Sequence, residues 1–183
     1  MKKNAAIGLF DSGVGGSSIW QEINHLLPNE NTIYLSDSKN APYGYKTPEE
    51  ITALSIKNTE VLMQMGCKLI VVACNTATTN AIKELRAKYD VPFIGIEPAI
   101  KPAAIQSKTQ TIGILATKGT LSSALFHENV AKHPNVTIIE QIGHGLVQLI
   151  ENGDLDSLEM KELLENYLLP LIFELDNFLI QEI

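Results

Sequence analysis

The run Leu69-Ile-Val-Val-Ala-Cys74-Asn75-Thr76-Ala77-Thr78-Thr79 decides the reading of the chain. Leu69 to Ala73 is apolar without alternation, the pattern of a strand covered on both faces in a parallel sheet. A thiol, an amide and several hydroxyls follow at its carboxyl end, where open α/β sheets hold their ligands. Asn75 or Thr76 is expected to cap a helix running through Ala81, Ile82 and Leu85 to about Tyr89. Cys74 then lies beside a helix N-terminus, whose backbone dipoles favour a thiolate. The same residue reads equally well as a buried thiol packed as a small hydrophobe. Its position at the exit of the apolar run, rather than inside it, is the feature that speaks for chemistry.

Outward from this run, strands and helices alternate. Ala5 to Phe10 reads as a short buried strand, followed by the turn Asp11-Ser12-Gly13-Val14-Gly15-Gly16. A helix with Ile19, Trp20, Ile23, Leu26 and Leu27 on one face comes next. Thr32 to Leu35 is the second strand, and Ser36 to Tyr45 a turn-rich loop. Thr47-Pro48-Glu49-Glu50 opens a helix, with proline in the first turn and acids beside the positive end. Its apolar positions are Ile51, Leu54, Val61, Leu62 and Met65, and Gly66 ends it. Val91 to Ile96 is the fourth strand. The order predicts an α/β fold with parallel sheets and right-handed crossovers.

Glu97-Pro98 marks the expected boundary between two domains, residues 1–97 and 98–183. A helix through Ile105 follows it, and the pattern restarts. Thr111 to Ala116 is a strand, Thr117 to Thr120 a loop, and Ser122 to Ala131 a helix. Val136 to Glu140 is a strand, Leu146 to Ile150 a short helix, and Leu158 to Phe173 a longer one that Pro170 should kink or end. Asn177 to Ile180 begins like a strand.

Composition narrows the function classes. The 183 residues are 45% hydrophobic and 19% charged, with a net charge of −7. Lys and Arg are scattered, which argues against a nucleic-acid surface and leaves any anion site to be built locally. Cys67 and Cys74 flank one strand about 23 Å apart, at roughly 3.3 Å per residue, too far to bridge. Reduced thiols, a short apolar run after Lys2-Lys3 and no membrane-length segment predict a soluble cytoplasmic protein. Neither cysteine has metal-ligand spacing.

The Asp11–Gly16 turn lacks both the GxGxxG and the P-loop pattern, which argues against a phosphate site. Its amides can still receive a carboxylate at a helix N-terminus. Asp11, at a strand's carboxyl end, is either a helix cap or a base or orienting acid. His25, His127 and His133 read as solvated. His144, in a glycine-flanked loop, reads as an exposed turn residue, with reach to a site as the alternative. No His–Cys pair suggests a nucleophilic triad.

Phe10-Asp11-Ser12-Gly13-Val14-Gly15-Gly16, Pro42-Tyr43-Gly44 and Ala73-Cys74-Asn75-Thr76-Ala77-Thr78 occur in this order and spacing. With them the chain resembles the glutamate racemases of the cofactor-independent aspartate/glutamate racemase family, from about Ala6 to Phe178. The Ala116–Thr120 loop and the Gly145–Glu151 helix fit as well. The resemblance implies two similar parallel-sheet α/β domains with the active site in the cleft between them. It implies inversion of glutamate by two opposed cysteines, without PLP or metal, and supply of D-glutamate for peptidoglycan, hence for the cell wall and cell shape. Cys74 matches the first cysteine and Asp11 the acid that assists it. Asp11, Ser12, Tyr43, Gly44, Asn75 and Thr76 match substrate contacts. Thr117 and Thr120 match contacts from the second domain, and Glu151 more loosely. The partner implied is a small amino acid, with no nucleic acid or membrane, and a homodimer is left open.

In one respect the sequence departs from that pattern. The family's second cysteine lies in a Gly-Cys-Thr-His segment after the strand that begins near Asn177. Here the residues read Asp176-Asn-Phe-Leu-Ile-Gln-Glu-Ile183. The expectation is a C-terminally truncated member of the family, its first domain incomplete, with little or no inversion by the lone chain. Cys67 cannot substitute, being at the far end of its strand. The alternative is an inactive fragment of the same fold that binds glutamate or a protein partner.

Overall fold

In the computed structural model, which describes residues 5–172 and 177–180, the apolar runs become parallel strands and the amphipathic runs between them helices. The chain divides into two compact units, Met1–Glu97 and Pro98–Ile183. The first contains, in order, β1 (Ile7–Asp11), α1 (Ser17–Leu26), β2 (Thr32–Ser36), α2 (Pro48–Gln64), β3 (Leu69–Val72), α3 (Asn75–Lys88) and β4 (Phe93–Gly95). Two short 3-10 turns, Ser38–Asn40 and Tyr43–Tyr45, lie between β2 and α2.

The four strands are parallel in the order β2-β1-β3-β4. Central β1 is buried at all five positions, and Ile70, Val71 and Val72 of β3 are buried too, as unalternating apolar strands require. The register sets Phe10 beside Val72 and Asp11 beside Ser36. The chain leaves β1 toward β2 and returns across it to β3. The strand order therefore reverses between β1 and β3, which puts a topological switch point at their carboxyl ends.

The helices begin and end where local chemistry dictates. Thr47 caps α2 in a capping box: its hydroxyl accepts from the Glu50 N–H, and the Glu50 carboxylate accepts from the Thr47 N–H. Those bonds hold the Glu50 carboxyl below the usual carboxylate range. Gly66, at φ +81°, supplies the left-handed residue just past the end.

Two apolar faces depart from the periodicity. Leu26, 71% exposed, and Leu27 lie outside the packing of α1, which rests on Ile19, Trp20 and Ile23 against Ile7, Leu9, Val71 and Ala73. In α2 the buried positions are Ile51, Ser55, Asn58, Thr59 and Leu62, while Met65 is exposed. Two of the polar residues on that face have defined bonds. Ser55 donates to the Ile51 carbonyl, and Asn58 to the Tyr43 hydroxyl.

The second unit contains α4 (Ile100–Gln106), β5 (Thr111–Ala116), α5 (Lys118–Leu121), α6 (Ala124–Ala131), β6 (Thr137–Ile142), α7 (Leu146–Asn152), α8 (Leu158–Ile172) and β7 (Asn177–Ile180). Its parallel strands lie in the order β6-β5-β7, reversing at β5 just as the first sheet does at β1. Ile100, Ile112, Ile114, Ala116, Leu121 and Phe126 form its core. The expected loop 117–120 is a helical turn, because the Thr117 hydroxyl caps it by accepting from the Thr120 N–H. Helix α8 continues two residues past Pro170. The readings of Phe173 and of residues 181–183 lie outside the described residues. Among the described residues no helix is long and apolar enough to cross a membrane.

Candidate active site

Backbone register brings the two central motifs together. The Ala73 N–H donates to the Phe10 carbonyl at 2.8 Å, so Asp11 and Cys74 leave the sheet from adjacent strands at the switch point. Cys74 is 3% exposed and Asp11 4%.

The cap of α3 differs from the sequence expectation. Neither Asn75 nor Thr76 caps the helix; both are already in its first turn, and the N-cap is Cys74 itself. Cys74 has extended backbone, φ −128° and ψ 121°, and its Sγ accepts from the Ala77 N–H at 3.3 Å. Its carbonyl accepts from the Thr78 N–H at 2.8 Å, the first bond of the helix. The sulfur thus occupies the position usually held by a Ser or Asp oxygen. A backbone N–H aimed at it favours the anionic form, as does the positive end of a 14-residue helix.

On the other side, the Cys74 thiol lies 3.5 Å from the Ser12 hydroxyl, to which it donates. The Ser12 hydroxyl is 3.4 Å from Asp11 Oδ1, and the Ser12 N–H donates to that same oxygen at 2.7 Å. Asp11 Oδ2 accepts from the Gly16 N–H at 2.9 Å. Asp11 is not the cap of α1, whose N-cap is Gly16 with no side-chain bond. It anchors the turn that starts α1, and it is linked to the thiol through one hydroxyl. The turn is held from outside as well: the Gly13 carbonyl accepts from the Tyr34 and Ser36 hydroxyls at 3.1 and 2.7 Å.

Tyr43 and Gly44 are buried, and the turn that holds them packs against α3. The Tyr43 side chain is 1% exposed. Its hydroxyl donates to Asp37 Oδ2 at 2.6 Å and accepts from Asn58 Nδ2 at 3.0 Å. Burial, then the Asp37 carboxylate, and to a lesser degree the charge of Cys74 push its ionisation well above the ordinary tyrosine range. Asp37 also accepts from Asn40 and donates its N–H to the Asp11 carbonyl at 2.9 Å. Sequence reasoning did not single out Asp37 or Asn58. The available signal was a polar residue at a buried period of α2.

Cys67 is at the opposite end of β3, buried against Gly8, and burial pushes its thiol pKa up. In the second unit Thr117 follows β5 and donates from Oγ1 to Thr120 Oγ1 at 3.2 Å; Thr120 is buried. Glu151 lies in α7, half-buried, and His144 is exposed, its carbonyl accepting from the Tyr167 hydroxyl. No group of three His, Cys, Asp or Glu among the described residues is arranged to hold a metal ion.

A family model, Asp/Glu/Hydantoin racemase, matches residues 7–168. The chain belongs to the Asp/Glu/hydantoin racemase family. Among racemases of that family it is similar to a glutamate racemase of Herpetosiphon aurantiacus, 44% identical over 93% of this chain and 67% of that protein. The glutamate racemase isoform RacE1 of Bacillus anthracis superposes with a TM-score of 0.86 at 31% identity, over 96% of this chain and 67% of that one. The Escherichia coli glutamate racemase, in complex with L-glutamate and an activator, gives 0.79 at 37% identity, over 92% and 64%. The chain spans between 61% and 67% of the length of the curated racemases it matches. Parallel-sheet α/β architecture is thus common to this chain and to solved racemases.

Proposed function

We propose that this chain is a glutamate-racemase isomerase body in which the Cys74 thiolate removes the α-proton of bound glutamate. The observation that carries the reading is Cys74 as the N-cap of α3, with the Ala77 N–H on its sulfur and Ser12 between it and Asp11. Glutamate is the substrate favoured by the relatives' names and by solved neighbours holding L-glutamate or D-glutamate.

The residues suit the task. Before reaction the thiol proton passes to Ser12 as the Ser12 proton passes to Asp11, leaving a thiolate that accepts from Ala77 N–H and Ser12 Oγ–H. The thiolate then takes the α-proton and becomes a thiol. The carbanion's charge spreads into the α-carboxylate, which needs fixed donors. Amides at the start of α3 and the hydroxyls of Ser12 and Thr76 are donors of that kind. Asn75, Tyr43 and Gly44 complete the first unit's contribution.

Return of a proton from Cys74 to the face it left gives exchange with retention. Inversion needs an acid on the opposite face, and Cys67, the other cysteine of these 183 residues, is at the far end of β3. The activity proposed for Cys74 is thus proton exchange on one face; with a second thiol on the opposite face the product is D-glutamate, for peptidoglycan in the cytoplasm. The test is L-glutamate in heavy water with the purified chain, followed by NMR and chiral chromatography. Loss of the α-proton signal with L configuration kept is expected. No exchange above the protein-free rate contradicts the proposal.

A further inference from the structure

The racemase motifs leave unused a chain of hydrogen bonds that begins on α2 and ends at the site. Asn58 Nδ2 donates to the Tyr43 hydroxyl at 3.0 Å, and that hydroxyl donates to Asp37 Oδ2 at 2.6 Å. The Asp37 N–H donates to the Asp11 carbonyl at 2.9 Å. From Asp11 the path continues through the Ser12 N–H to the Ser12 hydroxyl and Cys74 Sγ. Asn58 is 4% exposed and Tyr43 fully enclosed, so the two amide–phenol groups have no solvent to fall back on.

The direction of each bond matters. The phenol proton is committed to Asp37, and its oxygen lone pair to the Asn58 amide. An apolar residue at position 58 would leave that buried oxygen short of a donor and free the Tyr43 turn to move. Asp37, whose backbone N–H holds the Asp11 carbonyl, would then be fixed by a less constrained Tyr43 partner.

We propose that Asn58, acting through the Tyr43 hydroxyl and Asp37, is a positioning residue that keeps the Asp11–Ser12 turn in hydrogen-bond register with the Cys74 thiol. It touches neither substrate nor sulfur. The proposal rests on Cys74 as the reactive group of the site, and it holds whatever the amino acid bound there.

The test reads thiolate formation at Cys74 directly. The intact chain is alkylated with iodoacetamide across a pH series, without glutamate, and peptide mapping separates Cys74 from Cys67. The ionisable groups near Cys74 in the first unit are Asp11 from the turn after β1, and Asp37 and Tyr43 from the segment after β2. Access to the sulfur scales the plateau of the profile, whereas the thiolate fraction sets its midpoint.

Asn58→Leu is expected to move the midpoint upward and to cut the thiolate fraction at pH 7 about tenfold, the size of losing one buried hydrogen-bond partner. Tyr43→Phe gives a comparable loss, and the double variant no more than either alone, since both break one path. A purely structural Asn58 lowers the melting temperature, leaves the midpoint in place and adds to Tyr43→Phe; that result overturns the proposal. If Asn58→Leu does not fold, Asn58→Asp keeps the shape and replaces the donor with an acceptor. An unmoved midpoint in Asn58→Asp likewise overturns it. A chain that alkylates as expected but leaves glutamate untouched refutes the glutamate reading and retains this one.

Discussion

Gly16 and Asp11 hold each other at the start of α1. The Gly16 N–H donates to Asp11 Oδ2 at 2.9 Å, and a Cβ on residue 16 would stand 2.7 Å from the Asp11 Cβ. The same Cβ would meet the Ala73 Cβ and carbonyl oxygen at 3.0 Å. Gly16 has an ordinary helical φ of −63°, so the requirement is space and not conformation. Only a bare Cα lets the turn after β1 approach the residue that precedes Cys74.

Gly16→Ala should therefore destabilise the first unit by about 1–3 kcal/mol, the usual range for forcing an extra methyl into packed backbone. Urea unfolding measures this directly. Cys74 alkylation should slow as well, because the Asp11 turn carries Ser12 off the sulfur.

The two cysteines should differ sharply in reactivity. Burial against Gly8 raises the Cys67 pKa, so its thiolate fraction at neutral pH falls below that of a free cysteine. Cys74 accepts a backbone N–H at a helix start, which favours its thiolate. At pH 7.5 iodoacetamide should modify Cys74 before Cys67, and L-glutamate should protect Cys74 alone. Peptide mapping after timed quenching reads both.

Tyr43 gives the chain a liability in alkali. Its folded pKa is raised above the ordinary 10.0, so the folded state keeps its phenol proton when the unfolded state has released it. The stability this contributes is complete below pH 10 and is lost as pH rises beyond it, by about 1.4 kcal/mol per unit for one such group. Tyr89 is pushed up to about 12 by desolvation and by its exposed bond to Glu60, so solvent screening discounts its share, which is unchanged in a Tyr43 variant. Denaturant midpoints of the wild type should fall more steeply between pH 10 and 11 than those of Tyr43→Phe.

The capping role of Cys74 separates stability from chemistry. Cys74→Ala removes the acceptor for the Ala77 N–H and should cost about 1 kcal/mol. Cys74→Ser restores an acceptor and should unfold at a denaturant concentration close to that of the wild type.

Much of this arrangement was legible in the sequence. The unalternating run Leu69–Ala73 gave β3 its place inside a parallel sheet, and the alternation of strands and helices gave the rest of the order. Cys74 stood out as a candidate, but its use as the cap did not, because capping preferences rank oxygen side chains and Asn75 and Thr76 stood next in line. The buried face of α2 was misread for a related reason. Apolar periodicity finds Ile51 and Leu62 and passes over Ser55 and Asn58, whose burial depends on partners distant in sequence or on the helix backbone. Leu26 and Leu27 continued the α1 stripe, yet both are exposed and neither joins the cluster that Ile19, Trp20 and Ile23 pack against. The Thr117 turn looked like a loop since a four-residue helix has no periodicity to detect.

The central claim is that the sulfur of Cys74 takes the α-proton, and exchanging that sulfur for oxygen tests it most directly. Wild type and Cys74→Ser are each incubated with L-glutamate in heavy water, and the α-proton signal is followed by NMR. Exchange catalysed by the wild type and none above background from Cys74→Ser is expected, with both proteins equally folded. Equal exchange by the two proteins would contradict it.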